Sequence, residues 1–488
     1  MSHRSGNGGA LDPSDMKIVR ALLASVGGLI ALAAVLYLAG ILQVEVGNAD
    51  SRPAGTVYDI ESLKRRDDVN VLFILTDTLR AHRLHSYGYE RETSPTFDYM
   101  AGTGIRFARQ LAQSSWTKCS MASLWTGVYP QRTGVLRSPH GAPEEALMPA
   151  EIFREAGFRT AGIWRNGWVA PNFGFGQGFE VYERPLPQTR ARHLRVENPH
   201  IKLEGTDLDA LEASIEFLRI HGKERWFLYV HLMDIHQYLY DASSALFGTT
   251  YSDIYDNSIR RTDAIIGQLL THLVEEGLLE KTLVVMASDH GEAFSERGLE
   301  GHAREVFRES TEVPFILGFP FRLEPGLTVE QRTRNVDIWP TVLDLLGLPP
   351  LPDTDGRSLA PEIFAAASGR EDFDDDIVGV AHLDRGWGRE SQPSRPAVAI
   401  TLGPYRYVLQ RGTGEPNDPE LESLFDASED PLERRNVIED LPDVAADLRD
   451  LAGEYLATEG APWGEGPLEV ELDEMEANQL RALGYAIE

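Results

Sequence analysis

Four short apolar runs punctuate the chain, and each stops abruptly at polar residues. Val71–Leu75 runs into Thr76-Asp77-Thr78, and Thr160–Trp164 into Arg165-Asn166. Phe227–Leu232 runs into Asp234 and His236, and Leu283–Ala287 into Ser288-Asp289-His290-Gly291-Glu292. Apolar runs without alternation are the mark of strands covered on both faces. Helical stretches lie between them. The longest covers about 253–279, with Ile259, Ile266, Leu269, Leu270 and Leu273 on one stripe. Strands alternating with helices predict an α/β fold with a mostly parallel, doubly wound sheet flanked by helices. Such sheets bind ligands beyond the carboxyl ends of their strands. One Asp after a strand can simply cap a helix; four polar clusters at four strand ends predict a shared functional rim.

The N-terminus carries a different pattern. Ala21–Leu42 is 22 residues without a charge, long enough to span a hydrocarbon core of roughly 30 Å. Arg4, Lys17 and Arg20 precede it, and Glu45 and Asp50 follow. The positive-inside rule then predicts a cytoplasmic tail (1–20), one transmembrane helix (21–42) and an extracytoplasmic remainder. The alternative is a cleaved signal peptide, with Gly47 and Ala49 at −3 and −1, but the run exceeds the ~7–15 residues of a signal h-region. Residues 43–68, with Pro53, Gly55 and the run Lys64–Asp68, read as a linker. The main globular domain is expected at 69–369. A smaller acidic α+β subdomain follows at 370–488, with a hairpin of Val398–Leu402 and Tyr405–Leu409 across Gly403-Pro404 and a helical end.

Charge and cysteine usage narrow the function. The 488 residues carry a formal charge of −30, from 46 Lys and Arg against 76 Asp and Glu, so a nucleic-acid partner is excluded on electrostatic grounds. The single cysteine, Cys119, allows no intrachain disulfide and no Cys-rich zinc site. Asp77, Asp289 and His290 at strand ends suit one divalent ion, Ca, Mg, Mn or Zn. His231 reads as a partnered core histidine. In an extended stretch it faces away from His236, so only one of the two is expected to serve the rim. The hydroxyl-rich piece Ser114–Gly127 opens a helix, where a hydroxyl is either a cap or a nucleophile.

Together these motifs resemble the sulfatases of the alkaline phosphatase superfamily. Asn70–Leu79 resembles the opening strand with its metal-binding Asp, Ser86-Tyr87-Gly88-Tyr89 and Ser94-Pro95-Thr96 its continuation, and Thr117–Gly127 the nucleophile helix. Phe227–His236 resembles the strand ending in Asp-x-His, and Asp289-His290-Gly291-Glu292 the second metal motif. Gly301-His302 resembles the next Gly-His pair, and Val313-Pro314 the strand after it. Asp337–Gly347, Asp355–Leu359, Leu424–Asn436 and the terminal Leu480–Tyr485 are further landmarks, the last two recurring in bacterial members. The resemblance implies an alkaline-phosphatase-like fold; with the apolar run 21–42 and the basic residues before it, the expectation is an inner-membrane enzyme whose catalytic domain is periplasmic. The resemblance also implies one divalent ion, calcium first, held by Asp77, Asp289, His290 and Thr117.

The departures are informative. Sulfatases usually carry Cys-x-Pro-Ser-Arg, whose Cys becomes formylglycine. Counting back from Thr126-Gly127 places the nucleophile on Thr117, with Cys119 where Pro is usual and Met121 where Arg is usual. Formylglycine is therefore not expected. Thr in this position resembles the phosphoethanolamine and phosphoglycerol transferases of the superfamily. Thr78 stands where a second Asp is common, and His82 and Arg83 where an Asp-His pair is common. The resemblance implies a metal-dependent sulfuric ester hydrolase acting through Thr117. Arg80, His236 and His302 would neutralise charge or protonate the leaving alcohol, with Arg165 and Asn166 behind them. The substrate would be a small-molecule, glycan or lipid ester. Phosphoryl or phospho-alcohol transfer, and a non-catalytic tethered protein, are the alternatives.

Overall fold

The backbone of the main domain is an eight-stranded sheet whose strands, in chain order, are β1 (Asn70–Thr76), β2 (Ile105–Leu111), β3 (Arg159–Ile163), β4 (Val181–Glu183), β5 (Trp226–Leu232), β6 (Thr282–Ala287), β7 (Glu312–Gly318) and β8 (Leu327–Arg334). They lie in the order β8-β2-β7-β6-β1-β5-β3-β4. All neighbours are parallel except the two pairs that involve β7, which runs against both β6 and β2. The computed structural model describes residues 50–185, 187, 195–196, 205–370, 377–389, 391–413, 418–472, 477–478 and 480–481. The expected membrane span 21–42, the tail before it and the acidic run Glu371–Asp376 lie outside the described residues. Among the described residues no helix is long and apolar enough to cross a membrane.

The four apolar runs are the central parallel strands β1, β3, β5 and β6, and their lack of alternation has a direct cause. Along β1, Val71, Phe73 and Leu75 pack on one face of the sheet and Leu72 and Ile74 on the other, all fully buried. On the first face Phe73 meets Trp125 edge-on at 5.6 Å, and Trp125 stacks on Trp339 at 5.1 Å. On the second, α4 (Tyr251–Glu275) lays Ile259, Ile266, Leu269, Leu270 and Leu273 against the sheet. Removing each such side chain from water stabilises the fold by about 1.5–3 kcal/mol. The helices that precede α4 include α1 (Pro95–Gly102), α2 (Thr117–Thr126) and α3 (Asp207–His221).

The C-terminal part is a four-stranded antiparallel sheet of β9 (Gly379–Asp384), β10 (Pro396–Leu402), β11 (Tyr405–Gln410) and β12 (Leu421–Asp426), followed by the long helix α5 (Pro442–Leu456). The predicted hairpin is β10–β11, turning through Gly403 at φ 55°. One face of this sheet packs on α5 through Val398, Ile400, Tyr407 and Leu448. The other contributes Ala381, Leu383, Ala399 and Val408 to the core of the main domain. Ser51–Glu488 consequently forms one compact unit.

The linker reading of 43–68 needs correction from Ser51 onward. Arg52 is buried, donating from Nη1 to the Phe319 carbonyl and from Nη2 to Thr103 Oγ1, both at 3.0 Å. Ile60 and Leu63, on the short helical turns after it, are fully buried in the main core. Their apolar side chains sit among charged neighbours such as Lys64–Asp68, and that mixture has the composition of a linker.

Candidate active site

The rim expected at the strand ends exists, and its centre is built from β1, β6, α2 and the turn after β3. Asp77 directly follows β1, and the next residue, Thr78, adopts a left-handed φ of 61°. A non-glycine residue holds that conformation only where its surroundings fix it. Here the Thr78 hydroxyl donates to the Asp77 carbonyl at 2.7 Å, and the Tyr255 hydroxyl donates to the Thr78 carbonyl at 2.6 Å. The turn aims the Thr78 N–H at Asp289 Oδ1, 3.3 Å away. Asp289 and His290 follow β6, and the Ser120 hydroxyl on α2 donates to the Asp289 carbonyl at 2.6 Å.

Asp77, Asp289 and His290 are fully buried, and each offers one ligand atom within 4.8 Å of the others. His290 Nδ1 lies 3.0 Å from the Gly291 carbonyl, which can only accept, so Nδ1 carries the proton and the Nε2 lone pair faces the carboxylates. Asp77 Oδ1 and Asp289 Oδ2 have no hydrogen-bond partner although both are buried. Two orphaned carboxylate oxygens and an imidazole lone pair, converging out of water, are a donor set that a small divalent cation satisfies. Burial works to raise the Asp77 carboxyl, but the hydrogen bond from His231 and the electrostatic pull of the surrounding imidazoles outweigh it and hold it below the ordinary carboxylate range. Burial and the Asp77 charge push Asp289 up. A positive charge between them would relieve that repulsion.

Thr117 opens α2 with its Oγ1 3.2 Å from His290 Nε2. The count back from Thr126 thus leads to a hydroxyl that touches the centre. Cys119, a fraction of a turn further along, points the other way, its Sγ 3.8 Å from the His382 carbonyl on β9. Burial pushes the Cys119 thiol up to about 12. Met121, where Arg is usual, is fully buried in the core.

The other candidates divide. His302 lies with its ring centroid 4.6 Å from that of His290 and 4.9 Å from that of His236. A two-residue ladder pairs Ala293–Phe294 with Glu300–Gly301 and so brings Glu292 beside His302, Nδ1 to Oε1 at 3.2 Å. Burial disfavours the His302 proton, but the Glu292 carboxylate prevails and raises its pKa. Burial lowers His236 to about 4. Arg80 donates to Glu296 Oε1 at 2.6 Å and to the Glu292 carbonyl at 3.0 Å, so its guanidinium is joined to the loop that carries His302. Arg165 is buried between Asp207 and Asp234, with Nη1 2.5 Å and 2.6 Å from their carboxylates, behind the centre. His82 sits against Glu312 at 2.5 Å and Arg83 against Asp256 at 3.0 Å.

Two residues do more than their sequence context suggests. His231 is partnered, as expected of a core histidine, but one partner is Asp77: Nε2 lies 3.1 Å from Asp77 Oδ2, and Nδ1 2.8 Å from the Tyr229 hydroxyl. That His231 and His236 face apart holds only within a strand. β5 ends at Leu232 and the chain turns through Met233–Tyr238, so both histidines reach the rim. Glu292 is visible in the sequence only as part of a motif. Its position ten residues before His302, across Gly298 and Gly301, is the hairpin signal that connects the two.

The sulfatase family model matches residues 69–348, more than half of the chain. The chain belongs to the sulfatase family. It shares 26% identity over 420 residues with an ulvan-active sulfatase of Formosa agariphila, covering 78% of this chain and 79% of that one. It shares 26% over 428 residues with human arylsulfatase A, covering 76% and 83%. Among solved structures, the phosphonate monoester hydrolase of Agrobacterium radiobacter superposes with a TM-score of 0.63 at 19% identity, covering 80% of this sulfatase and 95% of that chain. The fold is therefore the alkaline-phosphatase-like one, and the sulfatase is an enzyme of the sulfuric ester hydrolase class.

Proposed function

We propose that this sulfatase hydrolyses a sulfate ester of a glycan or related small molecule with Thr117 as its nucleophile, in a metal-dependent reaction. The observation that carries the reading is the contact of Thr117 Oγ1 with His290 at the centre of the Asp77–Asp289–His290 cluster. The glycan assignment draws on relatives named for such substrates, an ulvan-active sulfatase and a canine N-acetylgalactosamine-6-sulfatase. Asp77, Asp289 and His290 would hold one divalent ion, calcium before Mg, Mn or Zn, which when bound supplies Lewis acidity towards the Thr117 hydroxyl and an ester oxygen. Thr117 Oγ1, its hydroxyl proton released to solvent beforehand, forms a bond to sulfur as the bond from sulfur to the leaving oxygen breaks. His302, whose protonated form the Glu292 carboxylate favours, gives its proton to that oxygen. The neutral His236 donates a hydrogen bond to a non-bridging oxygen. Water, activated by the deprotonated His302, then releases the group from Thr117.

A second reading is favoured by one feature. A plain threonine ester must be cleaved by water at the central atom, as phosphatases do, whereas a formylglycine hydrate can eliminate sulfate. Thr117 therefore suits a phosphodiester or phosphonate monoester as well. We further propose that residues 21–42 anchor the enzyme in the inner membrane with Ser51–Glu488 in the periplasm, on the basis of the uncharged run and the basic residues before it. The test of the main reading is a matched panel of aryl sulfates, phosphodiesters and phosphonate monoesters assayed with metal-loaded and chelator-treated enzyme. Sulfate ester turnover lost on chelation and restored by a divalent ion is the expected result. Turnover of the phosphorus esters alone would favour the second reading.

A further inference from the structure

Asn166 sits just beyond β3 at the start of a 3-10 turn (Gly167–Val169), fully buried. Its Oδ1 accepts the Trp168 N–H at 2.9 Å, which caps that turn. A cap needs only the acceptor, and Asp, Ser or Thr would serve it equally well. The opposite side of the amide is what such residues lack. Because Trp168 N–H can only donate, it fixes Oδ1 towards the turn and the NH₂ towards the site. One N–H is donated to Asp77 Oδ2 at 2.7 Å and the other to Thr117 Oγ1 at 3.2 Å. The buried amide thereby uses both of its donors and its acceptor.

The charged groups nearby are committed elsewhere. Arg165, the adjacent residue, is clamped by Asp207 and Asp234. Lys118, adjacent to Thr117, donates to the Ser138 carbonyl and lies 3.7 Å from the Phe173 ring centroid. Position 121 holds a buried Met in place of a cation. We infer that Asn166 is a catalytic residue: its amide ties the nucleophile oxygen to the Asp77 carboxylate, and it presents a neutral hydrogen-bond donor to that oxygen as Oγ1 charge changes during attack and release. The Arg165–Asp207–Asp234 network behind it holds β3, α3 and the turn after β5 together, and so keeps the amide in register with both partners.

This inference rests on the reading of Thr117 as nucleophile, so Thr117→Ala is measured beside it. The experiment compares wild type, Asn166→Ala, Asn166→Asp and Thr117→Ala for kcat and KM on an aryl ester at saturating metal. Calcium chloride is also titrated calorimetrically into each metal-stripped protein, and circular dichroism checks the fold. Asn166→Ala should lower kcat ~10²–10³-fold, the loss typical of one transition-state donor, with KM changed less than about threefold. Its calcium affinity should fall about 10–100-fold, because Asp77 loses the group that orients it. Asn166→Asp keeps the shape and the cap but cannot donate while ionised. It should lose at least as much kcat, and unlike the alanine variant it should bind calcium at least as tightly as wild type. Asn166→Ala or Asn166→Asp keeping kcat within threefold, with Thr117→Ala inactive, would overturn this inference alone. Turnover by Thr117→Ala would overturn both it and the nucleophile assignment.

Discussion

At the scale of single residues the distinction that matters is between Thr117 and Cys119, two positions apart on α2. One touches His290 and the other a backbone carbonyl of the C-terminal sheet. Thr117→Ala should abolish turnover, since a methyl group can neither attack nor hydrogen-bond. Cys119→Ala should keep kcat within about twofold while costing roughly 1 kcal/mol of stability for the lost buried sulfur. Steady-state kinetics and denaturant midpoints check the pair. The His302–Glu292 contact makes a pH prediction with a definite sign. Glu292 raises the His302 pKa and is itself held below the ordinary range, its burial being outweighed by His302. The stabilisation from His302 is full below the free imidazole value of about 6.5 and is lost as pH rises through the raised value. That from Glu292 is lost only as pH falls through its lowered value. If protonated His302 is the proton donor, Glu292→Gln should move the alkaline limb of the kcat profile to lower pH. An unmoved limb would remove His302 from that role.

At the scale of elements, the central strands are plain in the sequence because both faces of the sheet are covered, which leaves the runs in β1, β5 and β6 almost wholly apolar until the rim. β2 and β8 escape the same reading. Arg106 and Arg109 interrupt β2, and Thr328, Glu330, Arg332 and Arg334 make β8 look like a surface loop. They are nevertheless strands because their polar groups pair within the sheet: Gln110 donates to Asn335 Oδ1 at 2.9 Å and accepts from the Thr333 hydroxyl. Motif order likewise brings Asp77, Asp289, His290 and Thr117 forward, whereas Asn166 is visible only as a polar residue behind the site and His231 only as a core histidine, because their contacts depend on where β3 and β5 lie beside β1. The two sheets are joined by a buried ion network. Arg406 on β11 donates to Glu433 Oε1 at 2.7 Å, Glu312 Oε1 at 3.1 Å and Thr311 Oγ1 at 3.0 Å. Arg406→Ala would leave the buried Glu433 carboxylate without its 2.7 Å partner, whereas the half-buried Glu312 keeps His82 and Arg308, so it should cost about 3 kcal/mol. Urea denaturation of this variant, with Thr117→Ala as a stable reference, checks the prediction.

At the scale of the whole molecule, Ser51–Glu488 is one unit in which the C-terminal sheet shares a core with the main domain. A chain beginning at Ser51 should therefore fold and retain the full-length kcat, with membrane association lost, as fractionation and kinetics would show. A chain ending at Arg370 should instead fail to fold, because it lacks Ala381, Leu383, Ala399 and Val408 of the main core. The central claim concerns which atom bears the transferred group. The most direct measurement is rapid acid quench of the metal-loaded enzyme during turnover of an activated ester, followed by peptide mass mapping of α2. A sulfo or phospho adduct on Thr117, with Cys119 present as an unmodified thiol, is the result this account predicts. An adduct on any other residue, or a formylglycine at position 119, would contradict it.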